Sequence, residues 1–290
     1  MNKLFNKIGV IGKYGDHNIN PTLERLIQYL QDQGKEVLLE SGTASTMNCA
    51  SCSHQDYAQL SNNCDLVIVV GGDGSLLSAA RNLSNPDTAI LGINLGRLGF
   101  LVDISPDEIE ERLDEILAGN YAEEQRSLLQ TQVLRGGTIV HHSTALNDIV
   151  THKLNIARMV ELEVSIDGHY LYNQRSDGLV VSTPTGSTAY ALSGGGPILH
   201  PTLAAMVLVP ICPHTLSNRP IVIGNDSTIE IIIRADNKAQ LTCDGQINYE
   251  LEANDHILIK KKEHALRLIH PPGHDCFETL RAKLHWGTHP

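Results

Sequence analysis

The sequence is short of three things, and each shortage closes off a class of function. Positive charge is the first: 22 Lys and Arg stand against 33 Asp and Glu, a formal net charge of -11. That balance argues against a broad electrostatic footprint for nucleic acid or an anionic membrane. Long apolar runs are the second, since none reaches about 18 residues, the length of a membrane span. The N-terminal stretch runs into Gly, Asp and His before any apolar core of signal-peptide length accumulates, so the expected compartment is the cytoplasm. Cysteine is the third. Six of them, at positions 49, 52, 64, 212, 243 and 276, are spread over a chain large enough to need no staples, which predicts free thiols.

What is present reads as two domains. A chain of 290 residues, 41% of them apolar, sits at the upper edge of what one core organises. Ile8 to Ile11 reads as a strand. Asn20-Pro21 then opens a helix with Leu23, Leu26, Ile27 and Leu30 on one face. Further short strands are expected over 36–40, 66–70 and 89–93, the second of them apolar on both faces. A helix is expected from Ser75 to Asn82, and Ser105 to Glu108 reads as a capping box opening another that ends at Gly119. Residues 1–125 are thus expected to form an α/β domain with a mostly parallel sheet. After about residue 125 the period changes to two, as in Val160, Leu162, Val164 and Ile166 before the turn Asp167-Gly168, and later in Ile229, Ile231 and Ile233. This predicts a C-terminal all-β, sandwich-like domain over 126–290, with 275–290 forming a helix that packs back on the first domain.

Two stretches carry chemistry. Gly71-Gly72-Asp73-Gly74-Ser75 sits where an apolar strand gives way to a helix, the edge at which open α/β sheets bind ligands. Glycines there let backbone amides approach phosphate oxygens, and the helix start adds partial positive charge. A carboxylate in such a cradle repels phosphate unless a metal or a hydroxyl proton stands between them, which points to catalysis. A plain turn with Asp73 as N-cap accounts for the same residues. The stretch is neither a Walker A loop nor a GxGxxG fingerprint, and Gly9, Gly12 and Gly15 are spaced as GxxGxxG. The second stretch, Arg175 to Pro197, is too rich in small hydroxyl residues and glycine for a core strand beyond Leu179 to Val181. It offers several hydroxyls and amides with one aromatic, Tyr190, able to stack on a base.

Gly71 to Gly74 resembles the GGDG signature shared by NAD kinases, diacylglycerol and sphingosine kinases and 6-phosphofructokinases, and Asp177 to Pro197 is similar to the hallmark of NAD kinases in particular. Gly92-Ile93-Asn94, Gly96, Leu98 to Leu101, Asn147-Asp148 and Arg175 to Asp177 follow in that family's order. The resemblance implies an ATP-dependent kinase acting on the 2′-hydroxyl of the adenosine ribose of NAD, with a divalent cation, magnesium above all, and a homo-oligomeric state. It implies Asp73 as the catalytic aspartate, either base or metal ligand, with Gly71, Gly72 and Gly74 at the phosphates. Asn147 and Asp148 would hold the adenosine part of NAD, and Thr188, Ala189, Tyr190 and Ser193 would line the adenine pocket. Arg175 and Asp177 would contact the dinucleotide further along, with Arg158 and Gln246 as weaker counterparts. The family often has Asn-Glu where this chain has Asn147-Asp148.

The remaining features are expected to be structural. Cys49, Cys52, His54 and Cys64 lie in a polar loop without a second Cys pair, which favours free thiols over zinc. The histidines read as scattered, and as solvated or hydrogen-bonded. Two rival functions stay open on sequence alone: another GGDG-type kinase acting on a lipid or sugar phosphate, and a protein that binds NAD without phosphorylating it.

Overall fold

A computed structural model describes residues 4–47, 53–96, 99–155, 158–215, 217–234 and 238–287. The chain divides into two compact units, one comprising Met1–Gln125 with Leu266–Pro290 and the other Arg126–Ala265.

The first unit is built on a seven-stranded sheet. Its central strands, Lys7–Gly12, Leu66–Gly71 and Ala89–Asn94, pair in parallel, as do Glu36–Glu40 on one flank and Leu266–His270 on the other. Leu66–Gly71 and Ala89–Asn94 are buried at every position, as a sheet covered on both faces requires. The helix Asn20–Asp32 carries Pro in its first turn and buries Leu23, Leu26 and Leu30. The helix Ile109–Leu117 buries Ile109, Leu113, Ile116 and Leu117. These apolar stripes join Phe5, Ile8, Val10, Ile68 and Leu91 in one core.

Three local expectations are corrected. The helix after the glycine turn is Asp73–Asn82, with Gly72 as its N-cap. Asp73 therefore lies inside the first turn and is no cap. The capping box expected at Ser105 is absent: Pro106–Glu108 forms a 3-10 turn, and the Ser105 hydroxyl donates to the Glu108 carboxylate at 2.6 Å instead of capping a backbone amide. The second unit ends at Ala265, short of the expected 290, and Leu266–Pro290 belongs to the first. Leu266–His270 pairs in parallel with Ala89–Asn94, which buries Leu266, Leu268 and Ile269 against that sheet's core. The helix Cys276–Leu284 follows it in the first unit, with Lys283 over the Phe100 ring at 5.8 Å. Cys49, Cys52 and Leu98 lie outside the described residues, whereas Cys64, Cys212, Cys243 and Cys276 are free thiols.

The second unit holds two six-stranded sheets whose paired strands run antiparallel. Alternate residues of both, among them Val160, Leu162, Val164, Leu179, Val181, Ile229, Ile231, Ile233 and Leu241, form the core between them. The fold is thus the α/β plus all-β arrangement expected. Three neighbouring strands of one sheet, Asp148–Lys153, Gly178–Ser182 and Ala205–Ile211, break the alternation. Gly178–Ser182 is buried at all five positions, because the segment after it folds back: Ala191 and Leu199 cover Val150, Val180, Val207 and Val209 on the outer face of its sheet.

Candidate functional site

In the first unit, the strand Leu66–Gly71 delivers the glycine turn to the carboxyl edge of the sheet. Gly71 is needed for space, since a Cβ there would run into the Ser75 side chain. Asp73 points across to the loop after Ala89–Asn94, where the Phe100 amide donates to Oδ2 at 2.9 Å and the Leu101 amide to Oδ1 at 3.0 Å. Gly99 makes that approach possible, because a Cβ on it would collide with Asp73 Oδ1. Each carboxylate oxygen thus accepts one amide and keeps further acceptor capacity.

In the second unit, a cleft of about 430 Å³ is lined by Asn147, Asp148, His152, Lys153, Asp177, Ala189, Tyr190, Thr242 and Asp244 together with Val150, Ile211 and Gly245. That volume lies within the range of small-molecule sites. Of the residues expected from sequence, the cleft brings together Asn147, Asp148, Asp177, Ala189 and Tyr190. Thr188 and Ser193 belong to the same segment without lining it, and Thr188 donates to the Thr185 carbonyl at 3.2 Å. Arg158, Arg175 and Gln246 are exposed and outside the lining. Tyr190 is 46% exposed, so it is a surface of the cleft and no core residue. Asp177 pairs with Lys153 at 2.6 Å.

Sequence reasoning missed Asp244. It sits in the left-handed region (φ 51) at the turn between Ala239–Cys243 and Ile247–Leu251, followed by Gly245. The Asp-Gly dipeptide signals such a turn, yet only the fold shows that its carboxylate accepts three successive amides. These are Leu146 at 3.1 Å, Asn147 at 2.8 Å and Asp148 at 3.3 Å. The segment bearing Asn147 is clasped from the other side too. The Thr183 hydroxyl donates to the Leu146 carbonyl at 2.6 Å, and the Thr183 amide to the Asn147 carbonyl at 2.9 Å.

Asp148 is consequently a carboxyl with an unusual pKa. Burial pushes it up and the negative charge of Asp244 pushes it further, to about 7, against an opposing hydrogen bond from the Tyr190 backbone. A carboxyl raised in the folded state keeps its proton between about pH 4 and 7 while the unfolded chain has lost it. Stability therefore falls as pH rises through that window. Asp148→Asn should be more stable than the parent at pH 8, by on the order of 2 kcal/mol, with the gain shrinking steadily toward pH 5. Thermal melts across that range check it, and a difference that does not change with pH would contradict the assignment.

A glycine turn at the carboxyl edge of a parallel sheet, and a cleft of nucleoside size edged by carboxylates over an antiparallel sheet, are features of a nucleotide-binding enzyme. The comparisons with known proteins narrow this. The ATP-NAD kinase N-terminal domain matches residues 8–121, and the ATP-NAD kinase C-terminal domain matches residues 146–271. The chain is 50% identical over 287 residues to an NAD kinase of Teredinibacter turnerae, covering 98% of both chains. It is 50% identical over 286 residues to one of Chromohalobacter salexigens, again covering 98% of both. Among solved structures, an NAD kinase from Archaeoglobus fulgidus in complex with ATP is similar at a TM-score of 0.75 and 27% identity, over 96% of this chain and 98% of that one. Yeast NADH kinase complexed with NADH has the same fold at a TM-score of 0.90 and 24% identity, over 99% and 90% of the two chains. The chain belongs to the ATP-NAD kinase family.

Proposed function

We propose that this chain moves the terminal phosphoryl group of ATP onto the 2′-hydroxyl of the adenosine ribose of NAD, giving NADP and ADP. The observation that carries the reading is the match to both family domains, supported by relatives named NAD kinase at half identity over nearly the whole chain. It outweighs a lipid or sugar-phosphate kinase, for which only the glycine turn speaks.

The roles divide between the units. In the second, Asn147 and Asp148 hold the adenosine part of NAD, and Ala189 and Tyr190 form the wall of the adenine pocket, with Thr188 and Ser193 contributing from the same segment. Asp177 serves the dinucleotide within the cleft; Arg158, Arg175 and Gln246 serve it from outside the lining. In the first, the amides of Gly71, Gly72 and Gly74 face phosphate, and Asp73 acts on the acceptor hydroxyl. A ribose hydroxyl is a poor nucleophile until a carboxylate accepts its proton as the new P–O bond forms and the bond to the ADP oxygen breaks. The acceptor capacity left on Asp73 suits either that proton or a cation.

A divalent cation fits this turn as a companion of ATP. One carboxylate is too few ligands for a resident ion, whereas magnesium binds through one or two carboxylates plus substrate phosphates. Asp73 would hold it, and when bound it offsets the charge of the transferred group. We also infer a homo-oligomer and a cytoplasmic location. Exposed apolar side chains on sandwich strands, Tyr170 and Val222 among them, support the first, and the free thiols support the second. Among the described residues no helix is long and apolar enough to cross a membrane. Light scattering at assay concentration should give a multiple of the chain mass; a fully active monomer would refute the oligomer.

Phosphorus NMR of the product tests the reaction itself: the new phosphomonoester should sit on the 2′-carbon of the adenosine ribose, and phosphate elsewhere would overturn the reading. Tyr190→Ala tests the pocket. Losing about 1 to 3 kcal/mol of base stacking should raise KM for NAD roughly ten-fold with kcat much less affected, and the melting temperature should stay near the parent's because the ring is exposed. An unchanged KM would remove Tyr190 from the site.

A further inference from the structure

Asp103, His270 and His274 form a dense cluster in the first unit that phosphoryl transfer does not use. His270 ends the strand Leu266–His270. Pro271, Pro272 and Gly273 then turn the chain, with Gly273 at φ 81, and His274 folds back so that the two rings stack with centroids 3.7 Å apart. Both Nδ1 atoms converge on the same oxygen, Asp103 Oδ2, at 2.5 Å and 2.8 Å. Both Nε2 atoms face Glu124, at 3.5 Å and 4.0 Å, and are buried without a hydrogen-bond partner. The His270 side chain is 1% exposed and that of His274 9%. Unsatisfied imidazole nitrogens at such depth are costly, and here there are two. Read from sequence as scattered, the two histidines are brought to Asp103, 167 residues away from His270, only by the fold.

We propose that this cluster is a binding site for a divalent transition ion of the zinc class, with Asp103 Oδ2 and the two Nδ1 atoms as ligands. One donor atom from each of the three residues lies within 4.8 Å of the others. Two imidazole nitrogens and one carboxylate oxygen suit zinc, cobalt(II) or nickel rather than magnesium or calcium. Glu124 stands where carboxylates that orient metal-bound imidazoles stand, on the far ring nitrogens. A neutral ring frees its Nδ1 by moving that proton to Nε2, toward Glu124, and a charged ring releases the Nδ1 proton to solvent and keeps the one on Nε2. The ion thus replaces the shared protons, and it gives both orphaned nitrogens a proton to donate.

Stacked rings point their nitrogens side by side, so an ion about 2.0–2.1 Å from each needs the stack to open into a V. A cleft of about 310 Å³ gives that room. It is lined by Asp103 and His274 and by Glu108, Asp275 and Glu278 with Arg112. Its carboxylates favour a cation's approach, and it leaves a coordination position to water. The site also bears on Asp73. Asp103 lies two residues after Leu101, whose amide with that of Phe100 holds the Asp73 carboxylate. A bound ion would tie this loop to the Pro271–Gly273 turn.

The test uses the full chain, stripped with chelator and free of nucleotide, titrated with Co²⁺ or Zn²⁺. One ion per chain is expected, with the visible absorption of low-coordinate Co²⁺. His274→Gln should weaken it at least ten-fold, and Glu124→Gln by about ten-fold, the usual cost of losing an orienting carboxylate. Circular dichroism establishes that each variant is folded. Proton NMR of the Co²⁺-loaded parent needs no variant: hyperfine-shifted resonances from two imidazole rings are expected, and their absence overturns the site. So does equal Co²⁺ affinity in the parent and a folded His274→Gln. Because no NAD or ATP is present, either failure leaves the phosphoryl-transfer reading untouched.

Discussion

Asp73→Asn should leave NAD binding within a few-fold of the parent while lowering kcat by about 10² or more, the range for losing a general base or a metal contact. Asparagine is nearly isosteric, and its side-chain oxygen can still accept one of the two amides that now converge on the carboxylate from Phe100 and Leu101. Its amide nitrogen cannot accept the other, so one backbone donor loses its partner. That costs about 1–3 kcal/mol if the donor stays buried, and a lower melting temperature should accompany the kinetic loss. The two effects separate cleanly, because unfolding reduces the active fraction whereas lost chemistry reduces turnover per folded molecule. Active-site titration alongside the melt resolves them. A folded Asp73→Asn enzyme with near-normal turnover would end the assignment of Asp73 to catalysis.

Gly186→Ala should be among the most damaging substitutions in the second unit. A single methyl group at this position would collide with the carbonyl and Cα of Asn147. Backbone on backbone has no flexible end to give way. The Gly186 amide also donates to the Thr183 hydroxyl at 3.1 Å, and Thr183 in turn clasps Leu146 and Asn147. Accommodating the methyl therefore means moving the Asn147 segment away from its three-amide grip on Asp244. We expect a loss of about 3 kcal/mol, the upper part of the overpacking range, and NAD affinity reduced more than ten-fold in whatever protein folds. Melting and NAD titration on one preparation check both. Parental values for the pair would show that Asn147 is not held as described.

Local sequence pattern is informative for strands and turns and silent on contacts between distant residues. The parallel strands were legible because two-sided burial leaves an unbroken apolar run, as in Leu66–Gly71, and the sandwich because Ile229, Ile231 and Ile233 alternate. The return of Leu266–His270 to the first sheet is not legible, because buried apolar residues do not say against which sheet a strand lies. The glycine turn was legible at the end of an apolar strand, but the amides that hold Asp73 come from a loop 27 and 28 residues away. Asp244 is further still, 96 residues from Asp148, and its raising of the Asp148 pKa follows from a proximity that no local pattern encodes. Tyr190 stood out as an aromatic among small hydroxyl residues, and the structure puts it, half exposed, in the lining of the cleft. Arg158, Arg175 and Gln246 rested on resemblance alone and lie outside the cleft lining.

The most direct test of the account is turnover. Purified protein is incubated with NAD, ATP and Mg²⁺, and NADP is read continuously through an NADP-specific dehydrogenase, with Asp73→Asn alongside. The account predicts that the parent forms NADP in step with ADP, and that the variant does so at about a hundredth of that rate or less. A folded parent that binds NAD and ATP yet forms no NADP would contradict it.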